Sequence, residues 1–383
     1  MIYMDYNATT PCDKRVVEEM TPFFSGRFGN PSSIYTLARD AYKAIEQARE
    51  RLAKLLDCNT NEIFFTSGGT EADNWALVSS AFGLRNKGKH IITSSIEHHA
   101  VLHTCQFLEK AGYEVLYLPV DKYGVVDVDV LKQSIRNDTI LVSVMAANNE
   151  IGTIQPIREI ADIVKSKGVY FHTDAVQVTG KTPFSVKEMG VDMASFSCHK
   201  LYGPKGVGAL YVRKGVTLPP FLHGGGQERR KRAGTENVAG IVGLGKAAEI
   251  AVSEMAEEEA KIRALRDRLE QGVRENIPEI IVNGHPEQRL SNTLNFCVKA
   301  VEGEAMLLHL DLDGICASSG SACTSGSLEP SHVLIAIGIP EIMLHSSLRF
   351  SLGKHNTEGD VDRVLEALPN IVEKLRRMSP LWQ

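Results

Sequence analysis

The sequence predicts a layered α/β protein in which a mostly parallel sheet is covered on both faces by helices and joined to a smaller α+β unit. Three observations carry that prediction. Between residues 39 and 300 helical patterns alternate with short apolar runs, the alternation expected of parallel strands linked by crossover helices. Polar, Gly-rich segments follow those runs, where an open parallel sheet places its ligand crevice. From about residue 250 the texture changes to a helix-rich stretch, short strands and a run of small residues.

The first strong element is a helix over 39–56, where Ala41, Ile45, Ala48, Leu52 and Leu55 recur at helical spacing. Strands are expected in IFFT (63–66), HIITS (90–94), EVLYL (114–118), TILVSVM (139–145), VYFHT (169–173) and MASFS (193–197). Their continuous apolar character fits strands buried on both faces. Further on, SNTLNFCV (291–298) and SLRFSL (347–352) read as strands and 357–377 as a final helix. The expected division is a large domain over 14–255 and a small one from 1–13 and 256–383, the latter carrying a mobile loop at about 317–330.

Composition narrows the function classes. The chain has 383 residues, and 42 basic against 47 acidic side chains leave a net charge of −5. With 43% hydrophobic and 23% charged residues, disordered and fibrous chains are excluded. The basic run Arg229-Arg230-Lys231-Arg232 is short enough for a local anion site, so no nucleic-acid partner is expected. The N-terminus lacks a signal-peptide layout and no stretch approaches the roughly 18 apolar residues of a membrane span. A cytoplasmic protein without membrane attachment is expected. The seven cysteines form no CxxC pair, which disfavours disulfide frameworks and zinc ribbons; the question they raise is whether one thiol is a reagent.

The chemistry-bearing residues sit after the strands. Thr66-Ser67-Gly68-Gly69-Thr70-Glu71-Ala72 turns from strand to helix, and amides at a helix N-terminus can cradle a phosphate; a simple capped helix is the plainer reading. GPKGVG (203–208) is only a loose match to a dinucleotide fingerprint. Lys200 ends a strand and reads either as a solvated lysine or as an amine able to bond a carbonyl cofactor. Asp174, at the end of the preceding apolar strand, is placed to pair with a protonated pyridine nitrogen. His98 suits ring stacking and proton transfer. His99 and His103 are four residues apart on an expected helix, a weak metal-binding spacing with neither the HExxH glutamate nor a third ligand; no resident metal is expected. Cys323 lies among small polar residues with little to bury, Cys105 and Cys297 read as packed, and Cys198 beside His199 is open to either role. Arg349, alternating with apolar residues, suits either a carboxylate clamp or a structural ion pair. Asn149 suits a donor to the same carboxylate or a turn.

In this order these residues resemble the cysteine desulfurase family, the nitrogen-fixation and iron-sulfur-cluster type within the class V aminotransferase superfamily and fold-type I pyridoxal-phosphate enzymes. The blocks run end to end: YMDYNATTP, FGNPSS, TSGGTEADN, EHHAVL, NNEIG, HTDAVQ, SCHKLYGPKG, RAGTEN, SSGSACTSGSLEPSHVL and SLRFSLGKHNTEGDVD. The resemblance implies a mostly parallel seven-stranded sheet and pyridoxal 5'-phosphate as cofactor, joined covalently to Lys200. It also implies that Asp174 holds the pyridine nitrogen, Gln177 the ring oxygen, and that His98 stacks on the ring. Gly69, Thr70, Glu71, Ser197 and His199 would surround the phosphate, with Thr235 supplied by the second subunit of a homodimer. Asn149 and Arg349 would bind the carboxylate of L-cysteine. Cys323 would accept the sulfur, as a persulfide passed to an iron-sulfur scaffold or to tRNA thiolation, and is a candidate transient ligand of a cluster.

The sequence departs from the family at Tyr35, where many relatives carry histidine, and ends at SPLWQ without the longer tail used to dock a scaffold. The loop around Cys323 resembles the long type that hands sulfur to a scaffold. Two other readings are open. Another pyridoxal lyase or aminotransferase of the same fold would share Lys200, Asp174 and His98 without needing Cys323. A non-catalytic scaffold would need none of Lys200, Arg349 and Cys323 together.

Overall fold

The computed structural model describes residues 1–319 and 329–382. Its strands, in chain order, are β1 (Ile2–Tyr3), β2 (Ile63–Thr66), β3 (His90–Ser94), β4 (Glu114–Leu118), β5 (Thr139–Ser143), β6 (Tyr170–Asp174), β7 (Met193–Ser197), β8 (Gly208–Val212), β9 (Ile280–Asn283), β10 (Thr293–Val298), β11 (Ile315–Cys316) and β12 (Ser347–Ser351). Seven form one sheet in the order β2-β8-β7-β6-β5-β3-β4. Strand β8 runs antiparallel to both its neighbours, and the remaining pairs are parallel. The six apolar runs all become strands of this sheet. Strand β8 was not expected, because GPKGVG draws attention to its glycines. The segment is instead the turn into β8: a Cβ at Gly208 would stand 2.4 Å from Phe196 O and 2.7 Å from Gly68 Cα. Only glycine lets those backbones approach so closely.

The sheet is buried by helices on both faces. In the helix Thr36–Leu56, Ala41, Ile45, Ala48 and Leu52 bury one stripe, and Asp57 ends it in the left-handed conformation (φ 56°). This helix starts three residues before the expected Arg39, because Tyr35 rather than a later residue takes the extended N-cap conformation. It packs on the helix Val238–Asn276, where a Cβ on Gly245 would meet Ala48 Cα at 2.4 Å.

A second sheet, in the order β12-β10-β9, is antiparallel throughout. Its core contains Met4, Phe296, Leu348 and Phe350. The 39-residue helix Val238–Asn276 reaches both cores. Its Ile241, Leu244 and Ala248 pack with the seven-stranded sheet, and its Leu265, Leu269 and Val273 with the three-stranded one. Between the sheets Ile96, Met145, Cys297 and Leu334 form a smaller apolar cluster. Strand β1 pairs with β11, and Asp5 bridges to Ser351, so the N-terminal segment is stitched to the second sheet. No helix among the described residues is long and apolar enough to cross a membrane.

Candidate active site

A cavity of about 380 Å³ opens where the parallel strands end, at the place the crevice rule demands. At one end Gly69 and Thr70 begin the helix Gly69–Gly83 directly after β2, and its N-cap, Gly68, has no side chain to cap it. The first-turn amides, which have no intrahelical partner, face an anion site. A Cβ on Gly69 would stand 2.8 Å from Val176 Cγ2, so glycine keeps this cradle open. Ser197, the last residue of β7, and His199 line the same end. His199 Nδ1 lies 3.1 Å from Thr9 Oγ1. Burial and then the charge of Lys200 push its imidazole down to about 4, leaving it neutral at pH 7.

The Glu71 side chain is engaged elsewhere. It does not line the cavity: its carboxylate accepts from Arg232 Nε at 2.8 Å and from Ser67 N at 2.8 Å. Burial pushes the carboxyl up and those hydrogen bonds outweigh it, so it ionises more readily than usual. A first-turn carboxylate complements the helix dipole, and a phosphate cradle gains nothing from it. Thr235 is exposed and lies outside the cavity of its own chain. It follows a strained turn in which Glu228, Arg229 and Arg230 have φ of 40°, 56° and 64°. A buried ion pair of Glu228 with Arg49, at 2.6 Å, anchors that turn.

Midway along the cavity, β6 ends in Asp174, whose Oδ1 accepts from Val176 N at 2.9 Å. Burial raises this carboxyl to about 6, against the hydrogen bond from Val176 and the charge of Lys200. Behind it the buried Asp73 is pushed well above the ordinary carboxylate range by desolvation and by Asp174. Asp73 Oδ1 takes no hydrogen bond and stands 3.6 Å from His172 Nε2. Two buried carboxyls side by side form a site poised for a cationic partner. His98 caps the helix His99–Lys110: its Nδ1 accepts from Ala100 N at 3.1 Å. Burial and then Lys200 push it down to about 4. The neutral ring therefore carries its proton on Nε2. Lys200 Nζ donates to Ala8 O at 2.8 Å and to Asn7 O.

At the other end stands Arg349, in the middle of β12 and 1% exposed. Its guanidinium donates to Asp5 Oδ1 at 2.7 Å and to Asn149 O at 3.1 Å. Asn149 itself lines the cavity. Next to it Glu150 is buried, and its Oε2 accepts from Ser331 Oγ at 2.6 Å. Ser318 exchanges backbone hydrogen bonds with Arg349, and His332 lines the cavity. The chain on either side of 320–328 therefore borders the site. Cys323 and most of the expected mobile loop lie outside the described residues.

The structure thus brings together Gly69, Thr70, His98, Asn149, Asp174, Gln177, Ser197, His199, Lys200 and Arg349 around one cavity. Sequence reasoning missed Asn7, Asp73, Glu150 and His332, which line it too. Asn7 joins the two sheets: it donates through Nδ2 to Asn149 O and to Thr293 Oγ1, and through its backbone N to Ser351 Oγ. The pair His99 and His103, with ring centroids 4.9 Å apart, gains no third ligand; no group of three metal-ligating side chains occurs among the described residues. The thiols of Cys12, Cys58, Cys105, Cys198, Cys297 and Cys316 are all pushed up, chiefly by burial.

Comparison with known proteins matches this geometry. The family model for class-V aminotransferases covers residues 2–364. A protein of Methanosarcina thermophila named cysteine desulfurase IscS is 60% identical over 380 residues, 99% of this chain and 94% of that protein. The chain belongs to the cysteine desulfurase branch of the class-V aminotransferase family. A solved NifS-like protein superimposes with a TM-score of 0.92 at 43% identity, covering 97% of this chain and 99% of its own. A structure described as SspA in complex with cysteine superimposes with a TM-score of 0.83 at 39% identity, covering 93% of this chain and all of that one. The mostly parallel seven-stranded sheet is thus the fold-type I architecture of this desulfurase branch.

Proposed function

We propose that this member of the desulfurase family removes sulfur from L-cysteine with pyridoxal 5'-phosphate as cofactor, giving L-alanine and a persulfide on Cys323. One observation carries the reading: a single cavity is lined by the helix start at Gly69 and Thr70, by Lys200 and the buried carboxyls of Asp174 and Asp73, and by the buried Arg349. The relative described with bound cysteine supports the same substrate.

The residues fit the cofactor. Gly69, Thr70, Ser197 and His199 would hold its phosphate, with the partner subunit's Thr235 completing the cradle across a homodimer. Asp174 would pair with its ring nitrogen, and the strained buried carboxyls, Asp73 Oδ1 included, explain why a cation is welcome there. Gln177 would meet the ring oxygen and His98 the ring face. When bound, the cofactor supplies an electron sink next to the substrate α-carbon.

The chain's own residues do the rest. Arg349 and Asn149 hold the substrate carboxylate, which fixes the α-carbon between Lys200 and His98. Lys200 Nζ takes the α-proton, and His98 Nε2 moves a proton at the substrate sulfur. The Cys323 thiolate attacks that sulfur, forming an S–S bond as the C–S bond breaks. None of the other six thiols is suited to this, since each is pushed away from ionisation. The persulfide then passes to an acceptor protein for iron-sulfur assembly or tRNA thiolation in the cytoplasm. The division into 14–255 and 1–13 with 256–383 is supported by the two cores met by the helix Val238–Asn276.

The test is incubation of the purified protein with L-cysteine, following visible absorbance, alanine and protein-bound sulfur, beside Cys323→Ala. Alanine formation that requires both a yellow cofactor and Cys323 is expected. A yellow protein making no alanine would move the function to another amino acid, and sulfur loading by Cys323→Ala at the wild-type rate would remove Cys323 from its role.

A further inference from the structure

Beneath the cavity, Lys181 forms no ion pair among the described residues. Its Nζ donates to two amide oxygens, Gln177 Oε1 at 2.7 Å and Asn7 Oδ1 at 3.0 Å. Burial, then the charges of Lys200 and Arg349, push this amine well below the ordinary lysine range. An amine in such surroundings is costly to keep, so its contacts are informative. Local geometry puts it there: Gly180 turns the chain with φ 73°, and a Cβ at that glycine would stand 2.9 Å from Leu201 Cβ. The turn returns Lys181 beneath Gln177.

The polarity of both amides is set by backbone carbonyls, which only accept. Gln177 Nε2 donates to Asn7 O at 3.1 Å, and Asn7 Nδ2 donates to Asn149 O at 3.1 Å. Each amide oxygen is thereby turned toward Lys181. The two differ in one respect: Asn7 Oδ1 has a second donor, Asn292 Nδ2 at 2.9 Å, whereas among the described residues Gln177 Oε1 has Lys181 alone. Gln177 lines the cavity. One of its two Nε2 hydrogens goes to Asn7 O, and the other is left for an acceptor inside the cavity.

We propose that Lys181 is a positioning residue that clamps the Gln177 carboxamide, so that N–H rather than C=O meets the ring oxygen of the bound pyridoxal phosphate. This rests on the cofactor reading given above. A misturned carboxamide would set an acceptor against an acceptor and lose the hydrogen bond. Donation to the ring oxygen favours its anionic form, whose longer conjugation absorbs at longer wavelength.

The test compares Lys181→Met, Gln177→Leu and the double variant by two readouts: the dissociation constant for pyridoxal phosphate and the ratio of long- to short-wavelength absorbance of the loaded protein. Lys181→Met is expected to weaken cofactor binding by about fivefold to tenfold, the scale of one hydrogen bond, and to lower the absorbance ratio. In the Gln177→Leu background it is expected to change neither. Lys181→Gln, which retains an N–H donor, restores most of both and serves if the methionine variant folds poorly. Equal losses in the two backgrounds would make Lys181 merely structural and overturn the proposal. A wild-type protein that binds cofactor, beside a Lys181→Met that is unchanged, would overturn this proposal alone; a wild type that takes up none would overturn both readings.

Discussion

The two ends of the cavity are built by different means. The cofactor end draws Gly69, Thr70, Asp174, Ser197 and Lys200 from the ends of strands β2, β6 and β7 of one sheet and the segments just after them, so its geometry is inherited from a continuous hydrogen-bonded ladder. The substrate end depends on Arg349, carried by a strand of the other sheet and held through Asp5 and the Asn149 carbonyl. The first end is a property of one sheet, and the second is a property of how two sheets are registered. The comparison teaches that cofactor binding and substrate binding should fail separately, except at residues that touch both.

Removing the guanidinium tests that separation most severely. Arg349→Ala is expected to lower kcat/KM for L-cysteine by about 10²–10³, as befits a buried charge-assisted pair, with pyridoxal phosphate retention unchanged; steady-state kinetics beside cofactor content would check it. Asn7→Ala is the expected exception, because Asn7 bonds Gln177 and Lys181 on one side and Asn149 on the other. About tenfold losses are expected in both cofactor affinity and kcat/KM. A loss confined to one of them would mean the ends are not joined there.

A smaller effect should appear only in cofactor-free protein. Burial raises the Asp174 carboxyl from 3.8 to about 6, so between about pH 4 and 6 the folded chain holds a proton that the unfolded chain has released. Stability from this group is therefore present below pH 4 and falls as pH rises through that window. Asp174→Asn should raise the melting temperature of the cofactor-free protein at pH 8 and leave it unchanged near pH 3.5, provided both are folded there, as circular dichroism would report. The smallest effect is expected for Asp5→Asn, which keeps an acceptor for Arg349 and removes only a charge. Because the amide oxygen keeps the hydrogen bond to the guanidinium, a change in KM of less than about fivefold is expected, and a larger one would make Asp5 part of the clamp itself.

The same contrast decides what was legible in the sequence. Asp174 directly follows an apolar run, Ser197 ends one and Lys200 lies three residues beyond it, so one local pattern announces both the strand and the residues at its mouth. Asn7, Lys181 and Asp73 carry no such mark, because their roles arise from partners far along the chain: Asn7 meets Gln177 170 residues on and Thr293 286 residues on. The engagement of the Glu71 carboxylate was unreadable for the same reason, since it answers to Arg232, 161 residues away. Strand β8 went unread because GPKGVG stood out only as a loose fingerprint match, whereas close packing against Phe196 and Gly68 explains Gly208.

The helix Val238–Asn276 has a mechanical meaning as well. At about 1.5 Å per residue, its 39 residues form a strut of roughly 58 Å fixed at both ends in separate cores. A continuous helix of that kind carries the two cores on one rigid element. A single cooperative melting transition is therefore the expected outcome, with calorimetry as the check.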